Sequence, residues 1–134
     1  MQHHVETSSP AGMMSPLGHY SHVARYGDLI MISATAGVDP ATNELVGPGV
    51  VAQTRQILDS FQLMLESVGA DLGSVLHINV FLVDMNDFAE MNRAYEERMG
   101  DLRPARTAIG VTGLPKPGAR ITMNLTAATG SGTE

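Results

Sequence analysis

The feature that most constrains this fold is a change of hydrophobic period along the chain, from helical spacing to strand alternation and back. Residues 49–68 place apolar side chains at steps of three, four and seven, the spacing of one helix face: Val51, Leu58, Phe61, Leu65 and Val68. Residues 75–83 alternate instead, which predicts a strand with one apolar face: Leu76, Ile78, Val80 and Leu82. We therefore expect helices packed on a sheet.

A second helix and four more strands complete the predicted order, β-β-α-β-α-β-β. Asp87 followed by Glu90 has the form of a capping box, and Gly100 ends the helix. The remaining strands are predicted over 23–26, 29–35, 106–111 and 120–127, the first two joined by a turn at residues 27–28.

Two helices of roughly 30 residues in total can cover only one face of such a sheet. This predicts an α+β fold, a mixed sheet of about five to six strands with two helices packed on one face. The strand at 75–83 turns His77, Asn79 and Phe81 to the other face. Because that face mixes polar with apolar side chains, we expect oligomerisation to bury it.

Length and charge bound the class of protein. A chain of 134 residues is one domain, with 1–16 expected as a loose arm and 129–134 as a frayed tail. The net charge of −6 makes nucleic acid an unlikely partner. The absence of cysteine excludes thiolate chemistry and favours a reducing, cytoplasmic location. We expect neither a secretory signal nor a membrane segment, because the longest apolar stretch is far below the roughly 20 residues required.

The most informative segment for chemistry is Arg103-Pro104-Ala105-Arg106. Pro104 favours an extended entry into a strand that Arg106 opens, and a guanidinium held on a strand can grip a carboxylate with two parallel hydrogen bonds. A structural ion pair with Asp or Glu is the alternative. His19 and His22 form H-x-x-H, but no third ligand stands nearby, so we predict no metal site and no cofactor.

In order along 18–128 the chain resembles the RidA/YjgF family. The matching segments are Gly18-His19-Tyr20-Ser21, Ile32-Ser33, Asp39-Pro40, Ala52-Gln53-Thr54-Arg55-Gln56, Val80-Phe81-Leu82-Val83-Asp84-Met85-Asn86-Asp87-Phe88, Met91-Asn92, Tyr95, Arg103-Pro104-Ala105-Arg106 and Leu114-Pro115-Lys116. The resemblance implies a chorismate-mutase-like, RidA-like fold. It also implies a homotrimer whose sheets form a barrel, with clefts between subunits.

The resemblance implies hydrolysis of reactive imines or enamines, such as 2-aminoacrylate, to the 2-oxo acid and ammonia, without a cofactor. It carries Arg106 over as the clamp for a small carboxylate substrate and Tyr20 as the cleft tyrosine. Asn92 matches an asparagine of the same region. Ser33 and Ala34 match a turn whose backbone lines the cleft.

Three departures from the family pattern bear on catalysis. Asn124 stands where we expect a glutamate that positions the attacking water, and an amide cannot accept a proton. Ala34-Thr35 replaces Gly-Gln, and His19 replaces a proline. We hypothesise that His19, or Glu96 of a neighbouring subunit, supplies the missing base, the alternative being that His19 is merely exposed.

Two other functions remain open from the sequence. A non-catalytic trimer that binds small carboxylates would explain the loss of the glutamate. Ribonuclease activity, a label that some relatives carry, is poorly supported because the chain is acidic and has only three Tyr, three Phe and no Trp.

Overall fold

A computed structural model describes residues 4–130 of the chain. Six strands form one mixed sheet in the order β1-β2-β3-β6-β4-β5. The strands are β1 (Glu6–Ser8), β2 (Val23–Tyr26), β3 (Leu29–Ala36), β4 (Val75–Leu82), β5 (Ala105–Gly110) and β6 (Ile121–Ala128). The helices are α1 (Val50–Glu66) and α2 (Phe88–Met99). The predicted α+β class and the expected mixed sheet of five to six strands with two helices are confirmed.

The sheet is antiparallel except where β5 pairs in parallel with β4. The predicted hairpin between β2 and β3 is present, with Tyr26 opposite Leu29 and Gly27 at φ 59°. That positive φ in a two-residue connection is the conformation for which glycine is favoured.

One hydrophobic core fills the space between α1, α2 and one face of the sheet. Ile57, Phe61 and Met64 of α1 are fully buried there. The strands contribute the inward side of each alternation: Ile30, Ile32, Ile78, Val80, Leu82, Ile121, Met123, Leu125 and Ala127. The opposite, open face of the sheet carries exposed apolar side chains, among them Met31 at 53% and Ile109 at 46% exposure.

The arm expected over residues 1–16 is not entirely loose. Residues 1–3 lie outside the described part, but Glu6–Ser8 pairs with β2 as an edge strand, and Met14 is buried in the core. A strand of three residues is too short to be predicted from hydrophobic periodicity. Its order comes from pairing with β2 at the edge of the sheet. Of the predicted tail 129–134, Thr129 is anchored by its N–H and hydroxyl to Asp28, and residues 131–134 lie outside the described residues.

Three local predictions are wrong. The carboxylate of Asp87 makes no cap hydrogen bond and instead accepts one from Arg120 Nε at 2.7 Å. A bulge in β4 turns Val75 to the core and exposes Leu76 by 54%. Gln53, expected on the polar face of its helix, is fully buried because it pairs with backbone groups of two loops.

Candidate active site

Arg106 lies on the helix side of β5, opposite the core residue Ile78. Its guanidinium carbon is 4.8 Å from the centroid of the Tyr95 ring and 5.7 Å from that of Phe88, both on α2. These distances allow cation–π attraction, which orients the guanidinium while leaving its N–H donors for another partner. The surrounding cleft, here called the Arg106 cleft, is lined by Asn92, Tyr95, Glu96, Gly100, Leu102, Arg103, Pro104 and Arg106.

Arg106 has no carboxylate partner within the part of the chain that the structure describes. The salt bridges found there use the guanidinium groups of Arg55, Arg98 and Arg120. The structural ion pair that was the alternative for Arg106 is thus absent from the described chain. A half-buried cation without a carboxylate is chemically suited to receive one from a ligand.

Asn92 and Glu96 occupy the same cleft on one face of α2. The amide of Asn92 donates a hydrogen bond to Glu96 Oε2 at 3.1 Å. Burial raises the pKa of Tyr95, and the charge of Arg106 opposes that increase. The phenol therefore stays neutral at physiological pH and adds no negative charge beside Arg106.

A second depression of about 470 Å³, here called the Tyr20 cavity, lies beside β3 and β6 and the segment that precedes β2. Its lining is formed by Met14, Ser15, Leu17, Gly18, Tyr20, His22, Ser33, Ala34, Thr35, Ala36, Val38, Asn43, Pro115, Lys116 and Thr122. The predicted residues Tyr20, Ser33 and Ala34 meet here. No carboxylate belongs to this lining.

The Tyr20 cavity owes its shape to an irregularity of β3. One extra residue between Ile32 and Thr35 breaks the register with β6, so Ser33 and Ala34 form a bulge. The Ser33 hydroxyl donates to the carbonyl of Ser21 at 2.7 Å, and the Thr35 hydroxyl donates to the carbonyl of Ser33 at 2.8 Å. Bulges commonly re-aim side chains next to functional sites.

Two predicted site residues lie outside both depressions. His19 is exposed and lines neither of them. Asn124 faces the open side of the sheet, where its amide oxygen accepts a hydrogen bond from Asn79 at 2.9 Å. On β6 it is Thr122, and not Asn124, that lines the Tyr20 cavity within one chain.

Sequence reasoning did not place Thr122, His22 or Lys116 in a candidate site, although all three line the Tyr20 cavity. Thr122 lies two residues before Asn124, on the same side of β6, so strand alternation alone could not choose between them. Lys116 belongs to a segment that carried the family resemblance, a signal that could have drawn attention to it. In the sequence, His22 attracts attention only through the H-x-x-H spacing with His19. The described residues contain no cluster of three or more His, Cys, Asp or Glu that could hold a metal ion.

The Arg106 cleft and the Tyr20 cavity do not form one site within a chain. β3 and β5 are separated in the sheet by β6 and β4, which puts the two strands roughly 14 Å apart at about 4.8 Å per step. Arg106 also lies on the helix side, whereas Thr122 aligns with Phe81 of the open side. Each depression therefore holds three of the eight predicted site residues, and His19 and Asn124 line neither.

Comparison with known proteins defines the class. The family model described as Endoribonuclease L-PSP matches residues 11–129. The fold resembles the crystal structures of the YjgF gene product from E. coli, with a TM-score of 0.85 and 30% identity over 92% of this chain and 98% of that one, and of RidA from an Antarctic Psychrobacter, with 0.87 and 30% over 92% and 99%. The chain belongs to the Endoribonuclease L-PSP family, which is the RidA/YjgF family that the sequence resembles.

Two relatives show how similar this chain is in sequence to other members of the family. A RutC family protein of Pyrococcus horikoshii is 42% identical over 101 residues, which cover 75% of this chain and 80% of that protein. The 2-iminobutanoate/2-iminopropanoate deaminase of mouse is 35% identical over 124 residues, covering 92% of this chain and 88% of the mouse protein. The expected family is confirmed. Of these two relatives, the mouse protein is named as a deaminase of two small 2-imino acids.

Proposed function

We propose that this protein hydrolyses small reactive 2-imino or 2-enamino acids to 2-oxo acids and ammonia, in a cleft between subunits of a homotrimer. The names of the mammalian relatives support the reaction class. An imino acid offers one permanent carboxylate to hold and one electrophilic C=N carbon to expose to water. Its hydrolysis needs positioning and proton transfer, for which side chains suffice.

The observation that carries this proposal is the guanidinium of Arg106, oriented by two rings and without an acidic partner among the described residues. Two N–H groups of a guanidinium match the two oxygens of a carboxylate. A substrate held in this way would keep its C=N carbon at a fixed distance from the guanidinium. Asn92 lines the same cleft, and its amide has a second N–H to donate to the substrate besides the one bonded to Glu96.

The Tyr20 cavity adds to the Arg106 cleft the hydroxyl groups of Tyr20, Ser33 and Thr122. Tyr20 and the bulge at Ser33 and Ala34 would shape the pocket around the imine. Because Thr122 rather than Asn124 reaches this cavity, we assign to the Thr122 hydroxyl the role of holding the attacking water. A hydroxyl can both donate and accept such a hydrogen bond.

The two depressions can join only if a second copy presents its Arg106 cleft to the Tyr20 cavity of the first. The exposed apolar side chains of the open face, including Leu29, Met31 and Ile109, favour such an assembly. Light scattering tests it directly: we expect three times the 14.2 kDa of one chain. A monomer in solution would contradict the shared cleft, and Met31→Lys, which puts a charge on the open face, should weaken the assembly.

Activity is tested by generating 2-aminoacrylate or 2-iminobutanoate in situ with an amino acid dehydratase and following the release of ammonia. We expect the purified protein to accelerate release well above the spontaneous rate. Equal rates with and without the protein, across imines with small and with large side chains, would contradict the proposed activity.

A trimer that binds carboxylates without turnover is the second candidate, and one observation favours it: no carboxylate lines the Tyr20 cavity. In that case 2-oxo acids should raise the melting temperature while no imine is hydrolysed. Ribonuclease activity, suggested by the name of the family model, finds no support in a chain of charge −6. A cytoplasmic location remains our proposal, based on the absence of cysteine. The described residues contain no helix long and apolar enough to cross a membrane.

A further inference from the structure

The chain has a single lysine, Lys116, and this residue lines the Tyr20 cavity. It is half-buried, and its Nζ donates a hydrogen bond to the carbonyl oxygen of Asn43 at 2.8 Å. Asn43 belongs to the same lining. An ammonium has three N–H groups, so two donors are left for another partner. Because a carbonyl is neutral, this contact orients the ammonium without cancelling its charge.

Two turns fix the backbone on both sides of this contact. The N–H of Ala119 donates to the carbonyl of Lys116 at 3.0 Å, which closes the first turn. Pro117 and Gly118, the latter with a φ of 86°, occupy its central positions, where a type II turn favours these two residues. Asn43 lies in the left-handed region with a φ of 63°, which asparagine tolerates better than most residues. The carbonyl and the lysine backbone are therefore in place before a ligand binds.

Cations without a carboxylate partner are concentrated around the two depressions. Three of the eight Lys and Arg side chains form the salt bridges found among residues 4–130: Arg55, Arg98 and Arg120. Of the other five, three line a depression: Arg103, Arg106 and Lys116. Glu96 is the one acidic residue in either lining. A cleft that joins both linings, here called the shared cleft, thus has three cations and one carboxylate, a net charge of +2 in a chain of charge −6.

A substrate with one carboxylate leaves the shared cleft positively charged. Binding of that carboxylate to Arg106 neutralises one of the two excess charges. A second carboxylate on the same molecule neutralises the other. Because complementary charge favours the matching ligand and disfavours others, the shared cleft is suited to a substrate with two acidic groups.

Lys116 is better placed than Arg103 to receive the second acidic group. Arg103 is exposed and shares its cleft with Glu96, whose negative charge repels a second anion. Lys116 is half-buried, and its lining contains no carboxylate. Charges that are partly removed from water attract each other more strongly and are screened less by salt. Lys116 also belongs to the depression that lies opposite Arg106 in the shared cleft, so the two cations can hold the two ends of one molecule.

We propose that the preferred substrates are 2-imino or 2-enamino acids with a second carboxylate in the side chain, such as 2-iminosuccinate, and that Lys116 binds this second carboxylate. The inference rests on the proposed imine hydrolysis and names the substrate class of that site. Arg106 of one subunit holds the carboxylate next to the C=N carbon, and Lys116 of the neighbouring subunit holds the carboxylate of the side chain. Fixing both ends restricts the orientation of the reacting carbon between them. Lys116 determines specificity and takes no part in proton transfer.

The matched test uses two imines of the same shape and different charge. Amino acid oxidases, with catalase present, generate 2-iminosuccinate from aspartate and its monoamide from asparagine, and ammonia release above the spontaneous rate is measured for each. We expect kcat/KM of the wild-type protein to be about 10- to 100-fold higher for the diacid, the range that corresponds to a hydrogen bond between charged groups. Hydrolysis of both imines at equal kcat/KM, or a preference for the monoamide, would overturn the proposal.

Lys116→Met removes the charge and the donors but keeps an unbranched side chain. It should lower kcat/KM for the diacid by about 10- to 100-fold and change that for the monoamide by less than about twofold. Lys116→Arg, which keeps the charge, should restore the preference. Arg93→Met removes an exposed arginine outside both depressions and is the matched control, expected to keep the wild-type ratio.

Three outcomes of this series would overturn the proposal. The first is a wild-type ratio of the two kcat/KM values in Lys116→Met. The second is an equal loss for both substrates in that variant, because it would indicate a structural role for the ammonium. The third is loss of the diacid preference in Arg103→Met and its retention in Lys116→Met, which would assign the second carboxylate to Arg103.

A binding measurement separates failure of this inference from failure of the proposed function. Because Lys116 is the only lysine, protein labelled with 13C at the lysine ε-carbon gives a single lysine resonance. Oxaloacetate should shift this resonance, whereas 2-oxobutanoate, which has the same number of carbons and one carboxylate, should leave it nearly unmoved. If no imine is hydrolysed but the shift is selective, the proposed function fails and the diacid site stands. A resonance that oxaloacetate does not move, or that both acids move equally, would remove Lys116 from the site.

Discussion

The Arg106 cleft and the Tyr20 cavity are built in different ways. The Arg106 cleft stands on regular structure, with Arg106 on β5 and the rings of Phe88 and Tyr95 on α2. The Tyr20 cavity is assembled from the chain before β2, a bulge in β3 and the loop that leads into β6. Backbone hydrogen bonds of a helix and a strand therefore position the cation, whereas side chains position the cavity.

Hydrogen bonds from side chains to backbone carbonyls hold these irregular segments together. They include those donated by His22, Ser33, Gln53 and Lys116. A site held by such bonds depends on individual residues, while a site held by regular elements tolerates more change around it. We therefore expect substitutions in the Arg106 cleft to weaken substrate binding, and substitutions in the Tyr20 cavity to disturb the structure of that cavity.

The largest effect is expected from Arg106→Ala. Loss of one partner of a hydrogen-bonded charge pair costs about 2–5 kcal/mol, so kcat/KM should fall by about 30- to 5,000-fold. The fold should survive, since no salt bridge of the described chain uses this guanidinium. Arg93→Ala, which removes an exposed charge from α2, is the control. Steady-state kinetics with full activity in Arg106→Ala would contradict the carboxylate clamp.

Gln53→Leu should destabilise the Tyr20 cavity. The Gln53 carboxamide donates to the carbonyl of Gly47 at 2.8 Å and accepts from the N–H of Arg120 at 2.8 Å, so it ties α1 to the segment that carries Pro115. Leaving these buried groups unpaired should lower the free energy of unfolding by about 1–3 kcal/mol.

Chemical denaturation measures the effect of Gln53→Leu. Arg55→Ala, two residues along α1, breaks only an exposed ion pair with Glu97 and should change stability by less than about 1 kcal/mol. Equal losses in the two variants would show that the buried amide has no special role.

A pair of variants on β6 distinguishes the cavity from the open face. Thr122→Val removes the one hydroxyl that this strand gives to the cavity, and we expect kcat to fall about tenfold, or about 1.4 kcal/mol, if it holds the attacking water. Asn124→Ala should leave kcat unchanged, because that amide bonds to Asn79 outside both depressions. The reverse pattern, measured by ammonia release, would restore Asn124 as the water-holding residue.

The smallest effect is expected from Tyr95→Phe in the Arg106 cleft. The Tyr95 hydroxyl is buried without a partner among the described residues, so its removal should change stability at neutral pH by less than about 1 kcal/mol. Because burial raises the pKa of Tyr95, its contribution to stability is present below pH about 10 and is lost as the pH rises through the higher folded value.

Denaturation curves at neutral and strongly alkaline pH compare wild type with Tyr95→Phe. We expect the alkaline loss of stability to be smaller in the variant, and activity to persist because the Phe ring still stacks on Arg106. An equal alkaline loss in both proteins would mean that this phenol does not carry the effect.

Periodicity and motif spacing alone determined the regular part of this protein. The period change predicts α1 and β4, and the glycine turn predicts the hairpin of β2 and β3, all of which the structure confirms within a few residues. The segment ending at Arg106 predicts a cation held on a strand. These features succeed because each depends on residues close in sequence, whose backbone hydrogen bonds repeat.

Only the tertiary structure decided the rest. The burial of Gln53, the pairing of Asp87 with Arg120, the exposure of Leu76 and the choice of Thr122 over Asn124 all depend on contacts or register shifts between segments distant in sequence. A bulge moves every following side chain to the other face of its strand, and a polar group is buried wherever a distant backbone group can pair with it. Neither a bulge nor the burial of a polar group by a distant partner can be recognised from the local sequence pattern.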